Sequence, residues 1–431
     1  MSLFKGPMHT RIEGYKELTE SKNAITIHPT RVSIPVFAGA DTTPEILVKE
    51  GDEVLVGTKI AQFNKIHTVP IFSSVSGVVV GIEEKFHQTL KKAKHVVIES
   101  DGKYTEAVMP TIDYKTATKE ELVEFMMNSG LIGCGGAGFP TYAKYKNAEN
   151  IETLIINAVE CEPYITSDCK ILETEFETVL LGIKAMHKMC GAKQVLLAIK
   201  ETHPELIKEV TEKLKDEKDI TCVSVPNVYP MGWERTIVYQ LTKKRYDKLP
   251  SEVNCIVGNS TTCYWFGKAM EHGVPIMNRM LTVSGDGVAE PCNVIAPIGS
   301  SVKDVVAACG GYTSEDIIIC FGGPMMGGTV TTDLTSVDRP NNAITILKKQ
   351  DVPEMPCLRC GSCSDHCPCG LQPVRIAQAA KQKDVDRLGV LEVTKCMECG
   401  LCTYVCPSKI KVTENVRRAK RTYTLAQAKK K

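Results

Sequence analysis

No run of 18 uncharged apolar residues occurs anywhere in this chain, which removes the simplest sequence signal of a membrane-spanning helix. The opening stretch, "MSLFKGPMHTRIEG", lacks the apolar core of a signal peptide. The chain is therefore expected to be neither exported by that route nor threaded through a bilayer, and it reads as cytoplasmic. Excess charge is missing too. With 52 Lys and Arg against 51 Asp and Glu, no overall field selects nucleic acid or an anionic membrane. The phosphate-loop pattern GxxxxGK[ST] is also absent. What remains is 431 residues, 43% hydrophobic and 24% charged, enough for two to four compact domains.

Cysteine, by contrast, is abundant. The chain has nineteen, and a reducing compartment makes metal a better explanation than a disulfide scaffold. Eight fall into two copies of CxxCxxCxxxCP: "CLRCGSCSDHCP" (Cys357, Cys360, Cys363, Cys367) and "CMECGLCTYVCP" (Cys396, Cys399, Cys402, Cys406). Two-residue gaps let one tight loop wrap three thiolates around a cubane, while the fourth thiolate, followed by proline, reaches the other cluster, as in two-cluster ferredoxins. One [4Fe-4S] cluster would take Cys357, Cys360, Cys363 and Cys406, and the second Cys396, Cys399, Cys402 and Cys367. Zinc favours paired CxxC motifs and has no use for the third cysteine and the CP ending. Cys369 is an extra thiol beside the motif, and His366 a neighbour rather than a ligand. The other ten cysteines are scattered and read as small buried hydrophobes.

Residues 43–100 read as short strands punctuated by glycine. They resemble the barrel-sandwich of biotinyl and lipoyl carriers, but Lys65, near the carrier-lysine position, lacks the usual neighbours and reads as an ordinary surface lysine. From 119 to 274 helical stretches alternate with short apolar strands, the pattern of a parallel α/β sheet. Residues 275–330 turn β-rich, with one helix at 301–309, which suits a β-grasp module. Residues 331–355 read as a linker, 356–412 as the cluster domain and 413–431, with seven basic residues in "NVRRAKRTYTLAQAKKK", as a basic tail.

One more stretch carries chemistry: "LIGCGGAGFPTYAKY", residues 131–145. Its glycines Gly133, Gly135, Gly136 and Gly138 let backbone N–H groups converge on an anion, and Lys144 adds a positive charge beyond them. Alone this is a weak signal. The cubanes strengthen it, since passing single electrons to or from a two-electron donor calls for a converter such as a flavin.

"GCGGAGFPTYAK" together with "NAVECEPYITSD" resembles the flavoprotein subunit of respiratory complex I and, more closely, the RnfC component of the membrane-bound Rnf electron-transport complex. The wider RnfC-like group includes the cobalamin reductase of propanediol utilisation and an electron-transfer protein associated with proline reductase. The resemblance covers nearly the whole chain. It implies an α/β multidomain protein: an N-terminal region with a barrel-sandwich domain (1–118), a Rossmann-like FMN and NADH domain (119–274), a β-grasp soluble-ligand-binding domain (275–330) and a helical, two-cluster ferredoxin-like domain. The glycines match an FMN-phosphate loop and Lys144 a lysine at the phosphates. Asn157, Glu160, Glu162 and Asp168 match the acidic stretch beside the isoalloxazine and nicotinamide, with Glu160 and Glu162 as the candidate catalytic carboxylates. Asn259 and Thr262 in "VGNSTT" match a further FMN contact, and Glu234 matches the glutamate of "YPxGGExQ". Trp233 stands where relatives carry a glycine, an indole large enough to fill the nicotinamide space, and Gly258 replaces an asparagine.

The resulting expectation is an iron–sulfur flavoprotein that exchanges a hydride between NADH and FMN and relays electrons through two [4Fe-4S] clusters. Its partners would be other electron-transfer subunits, NADH and ferredoxin, at the cytoplasmic face of a membrane. Two alternatives stay open: an adaptor feeding a soluble reductase without NADH, and a non-catalytic iron–sulfur scaffold.

Overall fold

The computed structural model describes residues 10–37, 44–64 and 67–429; Lys65 lies outside them. Near the N-terminus, strands Arg31–Val36, Lys92–Ser100, Gly77–Phe86 and Glu53–Val54 form one antiparallel sheet in that order, and Glu45–Ile46, Lys59–Gln62 and Ile71–Phe72 a second. Along Gly77–Phe86 burial alternates residue by residue, as a strand with one wet face requires. Ile34, Ile60, Ile71, Val79 and Ile98 from the two sheets are essentially sealed from solvent and share one core.

Next comes a four-stranded parallel sheet in the order Ile220–Val225, Gln194–Lys200, Thr153–Ala158, Cys255–Asn259. Its central strand is almost wholly apolar and buried, "TLIINA", because helices cover both faces. Ile183, Met186 and Phe266 pack on one side; Ile237 and Val238, from helix Glu234–Thr242, pack on the other. Helices Phe176–Cys190 and Ser260–His272 cross at two glycines. A Cβ on Gly182 would stand 1.9 Å from the Cys263 carbonyl, and one on Gly267 2.2 Å from that of Thr178. In chain order the sheet grows outward from Thr153–Ala158 through two strands, then returns to place Cys255–Asn259 on the far side. That reversal opens a crevice at the carboxyl ends of the two adjacent strands.

A six-stranded mixed sheet follows, ordered Ile25–Thr26, Cys292–Pro297, Asn278–Ser284, Ala343–Lys348, Ile317–Phe321, Gly328–Val330, with helix Val302–Ala307 against it. Two of its strands correct the sequence reading. Ala343–Lys348 lies inside the expected 331–355 linker, yet its first four residues are buried between Asn278–Ser284 and Ile317–Phe321. Ile25–Thr26, from the N-terminal region, pairs in parallel with Val294 and Ile295.

The last unit is helical, with Ile376, Leu388, Val393, Val412, Val416 and Ala419 as its core. The expected basic tail is instead part of helix Val412–Lys429. Val412, Val416, Ala419 and Tyr423 fall three or four residues apart, so one stripe faces the core while the basic residues take the outer side.

Candidate functional site

Helix Lys119–Asn128 starts from a capping box, Thr118 with Glu121, and ends at Ser129-Gly130, which delivers the chain to the glycine loop. The Gly133 N–H donates to the Phe139 carbonyl at 2.8 Å and the Thr141 N–H to that of Leu131 at 3.2 Å, so the loop is closed at its base. Gly136 (φ +114°) and Gly138 (φ +62°) turn in the left-handed region, where a side chain is strained. Gly135, Gly136 and Ala137 are exposed.

The loop is pinned over the sheet crevice. The Cys134 N–H donates to Thr262 Oγ1 at 2.9 Å, the Arg279 guanidinium reaches the Cys134 carbonyl at 3.3 Å, and a Cβ on Gly135 would stand 3.4 Å from that of Asn259. Asn259 caps its helix by accepting the Thr262 N–H at 3.2 Å and donates through Nδ2 to Asp168 Oδ2 at 2.6 Å. Thr261 Oγ1 donates to the other Asp168 oxygen at 2.7 Å. The Asp168 N–H in turn donates to Glu160 Oε1 at 2.8 Å. Glu160 is buried, which pushes its carboxyl up against the opposing pull of Lys16; the Lys16 ammonium lies 3.9 Å from Oε2 and donates to the Glu160 carbonyl at 2.8 Å.

Lys144 lies just beyond the loop. Its ammonium donates to the Val257 carbonyl at 2.8 Å and stands 3.9 Å from Glu234 Oε2. Desolvation draws it below the usual lysine range, with Glu234 opposing. One hydrogen bond leaves two ammonium protons for an anion. Tyr246 donates to Glu234 Oε1 at 3.0 Å. Asn157 bridges toward this group, donating to the Gly232 carbonyl at 2.8 Å and accepting the Val159 N–H at 3.1 Å. A bare loop, exposed at Gly135–Ala137, with an ammonium beside it at a sheet switch point fits the phosphate end of a flavin mononucleotide.

Glu162 does not join this constellation. It accepts the N–H groups of Met326 at 2.7 Å and Met325 at 3.3 Å, and burial pushes its carboxyl up to about 7 against those two donors. Trp233 also departs from expectation: it packs against the helical core containing Cys369 and Leu371. Nothing local in the sequence announced Lys16, Tyr246 or Arg279; Thr261 sits inside "NSTT" and was findable there.

The two cysteine motifs repeat in backbone as well as sequence. Arg359 and Glu398 hold φ of 55° and 61°, and the following Gly361 and Gly400 hold 83° and 81°. The Arg359 N–H points at Cys357 Sγ and the Glu398 N–H at Cys396 Sγ, both at 3.4 Å. One cavity is lined by Cys357, Cys360, Cys363 and Cys406. The other is lined by Cys367, Cys396, Cys399 and Cys402, with Cys369 beside them, so the fourth thiol of each motif crosses to the other site. Among the described residues no three His, Cys, Asp or Glu side chains close on a single-ion site. Rings of four thiols around wider cavities fit cubanes, whose ligands bind separate corners. Cys357 and Cys360 are exposed, whereas Cys399 is buried beneath Tyr229, whose hydroxyl donates to the Cys399 carbonyl at 2.8 Å. His366 bonds the Ser362 carbonyl at 2.9 Å.

Four family models match in chain order: an RnfC barrel sandwich hybrid domain over 4–103, a Nuo51 FMN-binding domain over 126–265, an SLBB domain over 280–328 and a 4Fe-4S dicluster domain over 350–407. Among solved structures, an NAD+-reducing [NiFe]-hydrogenase, air-oxidised and H2-reduced, shares the fold at 18% identity, with TM-scores of 0.50 and 0.51 over 73% and 72% of this chain. The chain spans 64% and 63% of those hydrogenase chains. Among the described residues no helix is long and apolar enough to cross a membrane. The RnfC-type component of the proton-translocating ferredoxin:NAD(+) oxidoreductase complex of Clostridium ljungdahlii is 32% identical over 394 residues, covering 89% of this chain and 85% of the relative. Its counterpart in the Na(+)-translocating complex of Acetobacterium woodii is 30% identical over 396 residues, covering 89% and 88%. With a glycine loop pinned at a sheet switch point and two crossed thiol rings in one chain, this protein belongs to the RnfC family of ferredoxin:NAD(+) oxidoreductase complexes.

Proposed function

We propose that the chain is the iron–sulfur flavoprotein subunit of an Rnf-type complex, exchanging electrons between NADH and the other subunits at the cytoplasmic face of a membrane. In finer terms the parallel sheet is Rossmann-like, the six-stranded sheet a β-grasp, and the helical unit ferredoxin-like. Bound FMN would convert a two-electron hydride into single electrons, and two [4Fe-4S] clusters would carry them.

The protein's own part is placement. Gly133, Gly135, Gly136, Gly138 and Lys144 would hold the flavin phosphate. Asn157, Asn259, Thr262, Asp168 and Glu234 would fix its position over the strand ends. Glu160 acts through Asp168 as a positioning residue, not as a proton catalyst, because its Oε1 is committed to the Asp168 N–H. Cys357, Cys360, Cys363 and Cys406 would bind the exposed cluster, and Cys367, Cys396, Cys399 and Cys402 the one facing the flavin domain.

The observation that carries this reading is the contact between the two redox units: Tyr229, from the flavin domain, bonds the Cys399 carbonyl. The adaptor alternative rested on an indole closing the nicotinamide site, and Trp233 packs on the cluster domain. The test is anaerobic. Protein loaded with FMN, iron and sulfide is mixed with NADH in a stopped-flow spectrometer. Bleaching of the flavin band and then of the broad iron–sulfur absorbance is expected; bound flavin that NADH leaves unchanged overturns the reading.

A further inference from the structure

One buried ammonium group in this chain lacks a partner. Lys200 ends strand Gln194–Lys200 with 6% of its surface exposed, and among the described residues it makes no hydrogen bond or ion pair. Lysine is almost never this buried unless paired. Its charged surroundings add to the imbalance. Burial first, then the like charge of Lys16, works against the Lys200 cation; Cys161, Cys169 and Glu160 are the groups favouring it. Only one of these, Glu160, is a carboxylate. It already gives Oε1 to the Asp168 N–H and faces Lys16 with Oε2, whose own side chain is 11% exposed. His203 sits beside the same two lysines, and its desolvated imidazole is pushed down to about 4, so at neutral pH it adds a hydrogen-bonding nitrogen and no charge.

Register fixes where this cluster lies. Asn259 pairs with Asn157 and Asn157 with Ala198 across the parallel sheet, so all three project from one face. Lys200, two residues past Ala198, projects from that face too. It therefore stands about two strand spacings, roughly 10 Å, across the crevice from Asn259, which abuts Gly135 of the loop. An anion there would share the crevice with the flavin without competing for the glycine loop.

We propose that Lys200, with Lys16 and His203, forms an anion cradle at the carboxyl edge of the sheet that takes the pyrophosphate of the nicotinamide dinucleotide. The nicotinamide end then lies toward Asn157 and the loop. The assignment rests on the NADH reading above. A free inorganic anion has the same chemistry, and the experiment separates the two sources.

Holoprotein carrying flavin and both clusters is compared as wild type, Lys200→Gln and Lys200→Arg, with NADH and with the phosphate-free donor N-benzyl-1,4-dihydronicotinamide. Lys200→Gln is expected to raise the KM for NADH about ten-fold or more, with kcat, flavin content and the rate with the phosphate-free donor unchanged. Lys200→Arg restores most of the affinity, and inorganic pyrophosphate competes with NADH in the wild type and not in Lys200→Gln. An unchanged KM overturns the proposal alone, as does equal slowing with both donors, which marks a structural role. Pyrophosphate that binds through Lys200 without competing with NADH assigns the cradle to a free anion and also overturns it. A wild-type flavin that neither donor reduces removes the NADH reading itself, and the proposal with it.

Discussion

At the scale of single residues, the two glutamates of "VECEPY" do different work although only one residue separates them. Glu160, at φ 42°, turns inward to the Asp168 and Lys16 network, whereas Glu162 crosses to the Met325–Met326 loop of the six-stranded-sheet domain. Burial raises the Glu162 carboxyl from 4.5 to about 7, so between those values the folded chain holds a proton that the unfolded chain has released. The stability contributed by the neutral carboxyl is complete below about 4.5 and is lost as pH rises through about 7. The difference is about 3 kcal/mol at most, from a shift of this size. Glutamine keeps the neutral shape and cannot ionise. Glu162→Gln should therefore remove this descent: thermal midpoints of the two proteins are expected to diverge between pH 5 and 8, the wild type falling more steeply. Parallel curves would show that Glu162 stays ionised in the fold.

At the scale of elements, the site depends on a helix crossing that carries none of its chemistry. Helix Ser260–His272 presents Thr261 and Thr262 to Asp168 and the glycine loop, and Gly182 and Gly267 set how closely it lies on Phe176–Cys190. Gly182→Ala places a methyl group 1.9 Å from a backbone carbonyl, so the helices must separate. Overpacking of this kind costs about 1–3 kcal/mol or more, and the displaced Thr262 loosens the loop. The expected result is a lower melting temperature together with flavin loss on gel filtration, while iron content per chain holds. Retained flavin at wild-type stability would show that the crossing tolerates the shift. Elements written in local pattern were legible in the sequence: the CxxCxxCxxxCP repeats, the alternation behind the parallel sheet, and the glycine loop. Elements that need distant partners were not. "AITILK" forms a buried strand only because Thr282 and Ile319 lie on either side of it. In the last helix, seven basic residues obscured the stripe Val412, Val416, Ala419. Lys16 meets Glu160 across 144 residues, and no short-range signal records that meeting.

At the scale of the whole molecule, the domains read from the sequence as beads prove to be interleaved. The N-terminal region lends Ile25–Thr26 to the six-stranded sheet; Ser74 donates to the Ile298 carbonyl at 2.6 Å; and the buried pair His87 with Asp338, 3.1 Å apart, binds the same two regions again. The helical cluster unit is attached differently. Its contacts with the flavin domain centre on Tyr229 under Cys399 and Trp233 against the Cys369 and Leu371 core, with the Arg235 guanidinium 5.9 Å over the indole. Few anchors mean that removing one shifts the unit without unfolding either side. Trp233→Ala deletes about 2 kcal/mol of packing, a discount on a fully buried tryptophan, in a region that touches neither the glycine loop nor Lys144. In stopped flow with NADH the first phase, bleaching of the flavin, is therefore expected to keep its rate. The second phase, bleaching of the iron–sulfur absorbance, should slow, because it alone depends on how the cluster unit sits. Iron and flavin contents should match the wild type. If both phases slow together, Trp233 acts at the nicotinamide site after all; if neither does, Tyr229 and the Met325 loop hold the interface without it.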